Sequence, residues 1–278
     1  MRIAIASGKG GTGKTSVSTA IAEAVKGSCY FDCDVEEPNG FLILKPENIK
    51  CENIYIKIPK IEPDKCTNCR KCYDICRFNA IYFAGDKANI FEELCHSCGG
   101  CNLVCPTGAI QEYDKKIGEL KTGSKNDSIF TEGKLDIGFS LAPTVIRTVK
   151  KNIDDCRVNI IDCPPGTACT LVSAIQGSDF VILTTEPTPF GLHDLKLAID
   201  VVKDLNLPFG VIINKSDIGD DKVEEFCMNN NYEILMKIPF SMEIAKSYSR
   251  GENIINADYS LKDKFVNLAN DLLSRKVR

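Results

Sequence analysis

Two stretches of this chain carry reactive residue types at fixed spacings. Residues 7–16 read SGKGGTGKTS, and Gly8-Lys9-Gly10-Gly11-Thr12-Gly13-Lys14-Thr15 satisfies G-x-x-x-x-G-K-[ST]. Glycines in such a loop let backbone N–H groups converge on phosphate oxygens, and a helix beginning there adds its partial positive charge. Lys14 is then placed to neutralise the terminal phosphates of a nucleotide and Thr15 to hold Mg2+, with Ser16 closing the nucleotide-facing run. The second stretch is rich in thiols. Eight of the 15 cysteines fall between residues 66 and 105, in CTNCRKCYDIC and CHSCGGCNLVCP, each fitting C-x2-C-x2-C-x3-C. That run holds [4Fe–4S] clusters. Two zinc sites of four thiolates each are the competing reading, although those come as separated C-x-x-C pairs.

These residues need elements to position them. RIAIAS precedes the glycine loop and KTSVSTAIAEAVK follows it, with Val17, Ala20, Ile21 and Ala24 at helical spacing, giving strand, loop and helix. Apolar runs that end near polar residues recur at CYFDCD, VNIIDC, FVILTTE and FGVIINK, alternating with helical stretches such as 191–205 and 222–230. The pattern predicts an α/β fold: a P-loop NTPase-type, mostly parallel sheet with helices on both faces and working loops at the carboxyl ends of its strands. Between about 57 and 115 it breaks into short strands, turns and cysteines. Cys66, Cys69, Cys72 and Cys76 recur 29 residues on as Cys95, Cys98, Cys101 and Cys105, and Ala80-Ile81 recurs as Ala109-Ile110. A duplicated module, with halves at about 57–86 and 87–115, therefore interrupts a larger domain made of 1–56 and 116–278. KIGELKTGSKNDS reads as a turn-rich return to the sheet.

Composition narrows the classes. With 44% hydrophobic and 26% charged residues, the chain buries a core without needing disulfides, and a net charge of −4 gives no electrostatic case for nucleic acid. MRIAIAS is too short for a signal-peptide core and no 18 consecutive residues are apolar, so the expected location is cytoplasmic. An odd number of clustered cysteines in that setting points to metal ligation. The terminal LKDKFVNLANDLLSRKVR puts Leu261, Phe265, Leu268, Ala269 and Leu272 on one helical face. Packing on the sheet explains that face better than membrane binding, since the charge and area are modest.

Lys9 narrows the loop to GKGG-x-GK-T, and here the chain resembles the deviant P-loop ATPases, the group that includes MinD, ParA, Mrp and the nitrogenase iron protein. DCDVEEPN, 32–39, resembles that group's D-x-D segment, which implies that Asp34 orients the attacking water and Asn39 senses nucleotide. IIDCPPGT, 160–167, resembles the Walker B strand and switch loop of the Mrp group, implying that Asp162 contacts Mg2+ through water. VIINKSD, 211–217, resembles the segment whose asparagine, here Asn214, hydrogen-bonds adenine. The resemblance further implies a face-to-face dimer, with itself or with a related ATPase. In it Lys9 reaches the phosphates of the opposite subunit, making Lys9, Lys14 and Asp34 the catalytic set.

The cysteine runs resemble those of bacterial two-cluster ferredoxins, which are small α+β domains. By that resemblance Cys66, Cys69, Cys72 and Cys105 hold one [4Fe–4S] cluster and Cys95, Cys98, Cys101 and Cys76 the other. Arg77 stands where the first run would have proline, whereas Pro106 is present in the second, so the first turn is expected to differ. His96 reads as a spacer. TTEPTPFGLHDLKLAIDVV, 184–202, looks characteristic of MinD-superfamily ATPases with an inserted ferredoxin domain; it gives Glu186 no role beyond shaping a loop, and His193 reads as structural. Of the other cysteines, Cys29, Cys33, Cys51, Cys156, Cys163, Cys169 and Cys227, most read as small buried residues. Cys33, Cys163 and Cys169 fall near the nucleotide, where a further metal or redox control is open.

An ATPase joined to two clusters leaves three functions. ATP could gate low-potential electron transfer to a redox partner protein. Alternatively, the ATPase could assemble or deliver an iron–sulfur or other metallocofactor with an assembly partner. Thirdly, it could be a MinD-like positioning switch with a redox-sensing insert. Complete cluster sites favour the first, because a carrier needs a labile site and a switch does not need eight ligands.

Overall fold

The computed structural model describes residues 1–155 and 157–275; Cys156 and the basic end Lys276–Arg278 lie outside them. Strand β1 (Arg2–Ala6) leads through the glycine loop into α1 (Lys14–Ala24), and β2 (Cys29–Asp32) is followed by α2 (Gly40–Leu44) and the long β3 (Glu47–Ile61). Next come α3 (Lys71–Ile75), β4 (Ile81–Ala84), β5 (Lys87–Ile90), α4 (Gly100–Val104), β6 (Ile110–Lys125) and β7 (Ser128–Leu135). The chain continues through α5 (Ala142–Lys150), β8 (Asn159–Asp162), α6 (Cys169–Ile175), β9 (Phe180–Thr185), α7 (Pro189–Asp204) and β10 (Phe209–Asn214). It ends with α8 (Lys222–Asn229), β11 (Ile234–Ile238), α9 (Met242–Ser249) and α10 (Tyr259–Arg275). Two compact units result. Unit one comprises Met1–Cys51, Leu120–Lys134 and the chain from Pro143 on, and unit two comprises Glu52–Glu119 and Leu135–Ala142.

The main sheet has the order β11-β10-β9-β1-β8-β2-β7-β6-β3. Strands β1, β8, β9, β10, β11, β2 and β7 pair in parallel. Register decides where the chemistry falls. Ile5 is level with Asp162 and Asp32 is level with Asp162, so β1, β2 and β8 finish together and deliver the glycine loop and the acids of both neighbouring strands to one edge. Side chains alternate across the sheet. Ile3, Ile5, Tyr30, Ile160, Ile182 and Ile212 share a core with Val17 and Ile21 of α1 and Phe265 and Leu272 of α10. Ala4, Ile161, Val181, Leu183 and Val211 are equally buried on the other side, where α7 packs on β9 and α6 on β1. Cover on both faces is why these strands read as unbroken apolar runs. The apolar stripe of α10 is thus core: Leu261, Phe265, Leu268, Ala269 and Leu272 are all buried. Among the described residues no helix is long and apolar enough to cross a membrane.

One expectation fails. The stretch read as turn-rich, from Lys116 to Ser128, is mostly β6, and its turn is confined to Asn126-Asp127. Nor are all strands near the insert short, since β3 runs for 15 residues. The first seven residues of β3 are exposed at the end of the sheet order. Over those residues the edge strand has no buried face and so no alternation to read, and polar residues there discourage further strand pairing.

Unit two repeats its backbone as well as its cysteines. β4 and β5 form an antiparallel hairpin. Left-handed residues recur at the cysteine offset: Asn68 and Ser97 (φ 55 and 52), Arg70 and Gly99 (63 and 71), Asn79 and Gly108 (52 and 62). Such residues turn successive N–H groups inward around the space between the thiols. Ala80 N donates to Cys76 Sγ at 3.4 Å, and Ala109 N to Cys105 Sγ at 3.2 Å. Arg77 does not alter its turn: Cys76 (φ −74, ψ 104) matches Cys105 (φ −75, ψ 110), which precedes Pro106.

Candidate functional site

The glycine loop is shaped by close approach. At Gly8 a Cβ would lie 2.2 Å from Asp194 O, and at Gly13, with φ +90, it would lie 2.4 Å from Asn214 Nδ2. Both positions therefore require glycine, and Gly13 doubly so. Ser7 Oγ donates to Lys9 O at 2.7 Å and fixes the loop's entry. The loop residues Lys9 to Ser16 line a cavity of about 520 Å3, with Asp34, Glu37, Asn39 and Pro165 on one side. Asn214, Lys215, Phe240, Ile244 and Tyr248 line the rest. This is the size of a cofactor pocket. Thr12 Oγ1 is buried there without a hydrogen-bond partner, which suits a phosphate oxygen that it would meet.

Lys14, on the first turn of α1, is almost wholly buried. Its Nζ lies 3.0 Å from Asp162 Oδ1 and 3.5 Å from Asp34 Oδ2. Burial pulls the ammonium down, but Asp162 and then Asp34 overrule it and hold Lys14 above the ordinary lysine value. Asp32 is fully buried and accepts from the N–H groups of Asp34 (3.1 Å), Asn39 (3.2 Å) and Gly40 (2.9 Å), so it ties the loop after β2 into shape. Burial first, and the charge of Asp162 second, push its carboxyl well up. Burial also raises Asp34, against the opposing pull of Lys14. Tyr30, from the middle of β2, donates to Asp162 Oδ2 at 3.1 Å. Thus the structure gathers Lys9, Lys14, Thr15, Ser16, Asp34, Asn39 and Asn214 round one cavity, with Asp162 bonded to Lys14 behind it.

Several details lay beyond the motifs. Asn214 spends its amide on the loop: Nδ2 donates to Thr12 O at 2.9 Å while Oδ1 accepts from Lys215 N at 3.0 Å. Lys9 Nζ lies 3.9 Å from Glu186 Oε2, whose other oxygen is 2.7 Å from Lys215 Nζ. The 184–202 stretch thus holds both a loop lysine and the backbone beside Gly8. His193, read as structural, is instead exposed on α7. Cys29, Cys33, Cys163 and Cys227 are buried, whereas Cys51 and Cys169 are exposed. Tyr30 lies outside the motifs, and Asp32, the first acid of the D-x-D segment, is given no role there. An aromatic hydroxyl inside the apolar run CYFD was the available signal for Tyr30.

The eight clustered cysteines sort into two cavities within unit two. Cys66, Cys69, Cys72 and Cys105 line one, with Arg70, Phe83 and Thr107. Cys76, Cys95, Cys98 and Cys101 line the other, with Ile75, Phe78 and His96. Each set takes three thiols from one run and the fourth from the other. His96 stacks on Phe78 with ring centroids 3.8 Å apart. Burial raises the thiols of Cys72 and Cys95, and pushes Cys101 up to about 11. Among the described residues no three His, Cys, Asp or Glu side chains converge on a single-ion site. Four thiols to a cavity is a donor set suited to a soft metal ion or to an iron–sulfur cluster.

Comparison with known proteins agrees with the nucleotide site. Residues 3–254 match the CobQ/CobB/MinD/ParA nucleotide binding domain. The Methanocaldococcus jannaschii protein MJ0579 is 32% identical over 262 residues, covering 92% of this chain and 91% of that one. An iron-sulfur cluster carrier protein of Pyrococcus horikoshii is 22% identical over 299 residues, covering 99% of this chain and 86% of its own. Among solved structures, the cell division ATPase MinD of Pyrococcus furiosus superposes with a TM-score of 0.59 at 21% identity, over 98% of each chain.

Proposed function

The chain belongs to the CobQ/CobB/MinD/ParA nucleotide-binding family, and from that premise we propose that it is an ATP-hydrolysing iron–sulfur protein in which nucleotide-driven pairing of subunits gates electron transfer. The observation that carries this reading is the sorting of eight thiols into two complete sets of four. A complete set suits a resident group, whereas a site that must release its cargo is better served by ligands that can be withdrawn. Cys66, Cys69, Cys72 and Cys105 would hold one [4Fe–4S] cluster and Cys76, Cys95, Cys98 and Cys101 the second. Clusters bound there would supply one-electron storage at low potential.

On the nucleotide side, Thr12 and the N–H groups around Gly10, Gly11 and Gly13 receive phosphate oxygens. Lys14 exchanges Asp162 and Asp34 for the terminal phosphates, Thr15 and Asp162 serve the Mg2+ side, and Asp34 orients the attacking water. Asn214 braces the loop and offers its remaining amide hydrogen to the base, with Asn39 at the cavity's edge. Lys9 leaves Glu186 for the phosphates of the opposite subunit and supports developing charge only in the pair. The partner subunit is a second copy or a related ATPase, and the electron acceptor is a separate protein.

Cluster assembly or delivery is the second reading, favoured by the Pyrococcus horikoshii relative named as a carrier. One experiment separates the two. Protein loaded with iron and sulfide under anaerobic conditions is reduced, and its reoxidation by methyl viologen is followed optically with ATP, with ADP and without nucleotide. A rate that changes several-fold with ATP supports gating, and a rate and potential indifferent to nucleotide overturn it. Iron moving to an added apo-ferredoxin establishes delivery instead.

A further inference from the structure

Asp162 is fully buried, and both its oxygens are engaged within the chain: Oδ1 with Lys14 Nζ at 3.0 Å, Oδ2 with the Tyr30 hydroxyl at 3.1 Å. Tyr30 is level with Ile160 on the neighbouring strand, two residues before Asp162, so its side chain shares that face and reaches along it. The ring is core, tilted against Phe130 with centroids 6.4 Å apart. Gly40 makes room for the hydroxyl, since a Cβ there would sit 2.4 Å from it. Phenylalanine would fill the same core position, so packing alone does not call for an oxygen here.

The arrangement matters when nucleotide arrives. Lys14 is the cation among Asp32, Asp34 and Asp162. Terminal phosphates that draw its ammonium away leave Asp162 facing buried Asp32 with no positive partner. We infer that Tyr30 is a positioning residue of the nucleotide site: its hydroxyl anchors Oδ2 so that Oδ1 stays aimed at the place Lys14 vacates and hydrated Mg2+ enters. The inference rests on reading Asp162 as the acid on the metal side. Without the hydroxyl, Oδ2 is a buried charged oxygen lacking a donor, and the carboxylate turns to share what remains.

The test is binding, not turnover. A fluorescent ATP analogue is titrated into parent, Tyr30→Phe and Asp162→Asn proteins, in EDTA and across a MgCl2 series. Tyr30→Phe should bind the analogue in EDTA within about two-fold of the parent, while its Mg2+ midpoint rises about ten-fold, the lower end for losing a hydrogen bond to a charge. A lowered melting temperature with an unmoved Mg2+ midpoint would make Tyr30 merely structural and overturn the proposal. Gly40→Ala, which crowds the hydroxyl without removing it, should move the midpoint the same way; no movement there counts against the proposal even if Tyr30→Phe does not fold. Asp162→Asn should abolish the metal-dependent tightening. If it does not, the metal-side assignment of Asp162 fails, whatever Tyr30→Phe does.

Discussion

Replacing Lys9 by alanine separates what that lysine does within its own subunit from what it does across a pair. In the free chain it stands 3.9 Å from Glu186, with side chains 31% and 15% exposed. Two unit charges at that distance attract by about 4 kcal/mol at an effective dielectric constant of 20. Screening and the ordering of long side chains leave such partly exposed pairs with about 0–1 kcal/mol. Glu186 keeps Lys215 at 2.7 Å, so the substitution strands no buried charge. The melting temperature should therefore fall by no more than about 2–4 °C. A cation supplied across an interface to phosphoryl transfer is worth about 10^3–10^5 in rate. Lys9→Ala should thus lose ATP turnover by about a thousand-fold, and with it ATP-dependent pairing in sedimentation, while its affinity for a fluorescent ATP analogue stays within about three-fold of the parent. Turnover that survives the substitution refutes the role across subunits. Turnover lost together with nucleotide affinity would place Lys9 in its own site.

Other outcomes follow from the same geometry. Cys105→Ser should deplete the cluster held by the first cysteine run, although the residue belongs to the second, and Cys76→Ser should do the reverse; iron analysis with EPR of the remaining cluster checks the crossing. Gly13→Ala meets a left-handed backbone that costs a residue with a Cβ about 1–2 kcal/mol, and it must also push Asn214 off Thr12. Nucleotide affinity measured by calorimetry should fall at least about ten-fold, and an unchanged value would mean that the loop does not cradle phosphate. Asp34 is raised by burial despite Lys14. A carboxyl raised on folding contributes stability below its unfolded value of 3.8 and loses it as pH rises through the folded value. Without nucleotide, Asp34→Asn should therefore melt above the parent near pH 8 and lose that margin as pH falls toward 4, while hydrolysing no ATP. A variant less stable than the parent at pH 8 would show that the Lys14 pair outweighs burial.

Much of this was legible because the relevant constraints are local. A phosphate loop needs glycine where φ is positive or backbone comes close, and Gly8 and Gly13 satisfy that need in three dimensions as in the motif. Thiol spacing groups three sulfurs of each run, the exchange of the fourth was implied by the resemblance to two-cluster ferredoxins, and the 29-residue repeat carried over to the left-handed residues at 68, 70 and 79. What escaped was long-range. Glu186 and Lys9 are far apart in sequence, and only the parallel order of β1 and β9 brings their loops together. Asn214 turned out to brace Thr12, a partner that no segment pattern encodes. Strand β3 hid over its first seven residues, which have no buried face to impose alternation, and in β6 the buried Ile117 and Leu120 are interspersed with glycines and charged residues, which made Lys116–Ser128 look like a turn. Tyr30 was disguised by being apolar enough to belong in a strand.

The strand order also dictates a sequence of events during synthesis. β1 is flanked by β8 and β9, both encoded after the cysteines. While the ribosome is still short of residue 159, the glycine loop hangs from a strand with neither neighbour, and Lys14 has no Asp162 to meet. At about 5–20 residues per second, Cys105 leaves the peptidyl-transferase centre several seconds before Asp162 does. All eight clustered thiols are thus made, and able to find one another, before the nucleotide site can exist. A nascent chain would complete its thiol sets first and its nucleotide site second.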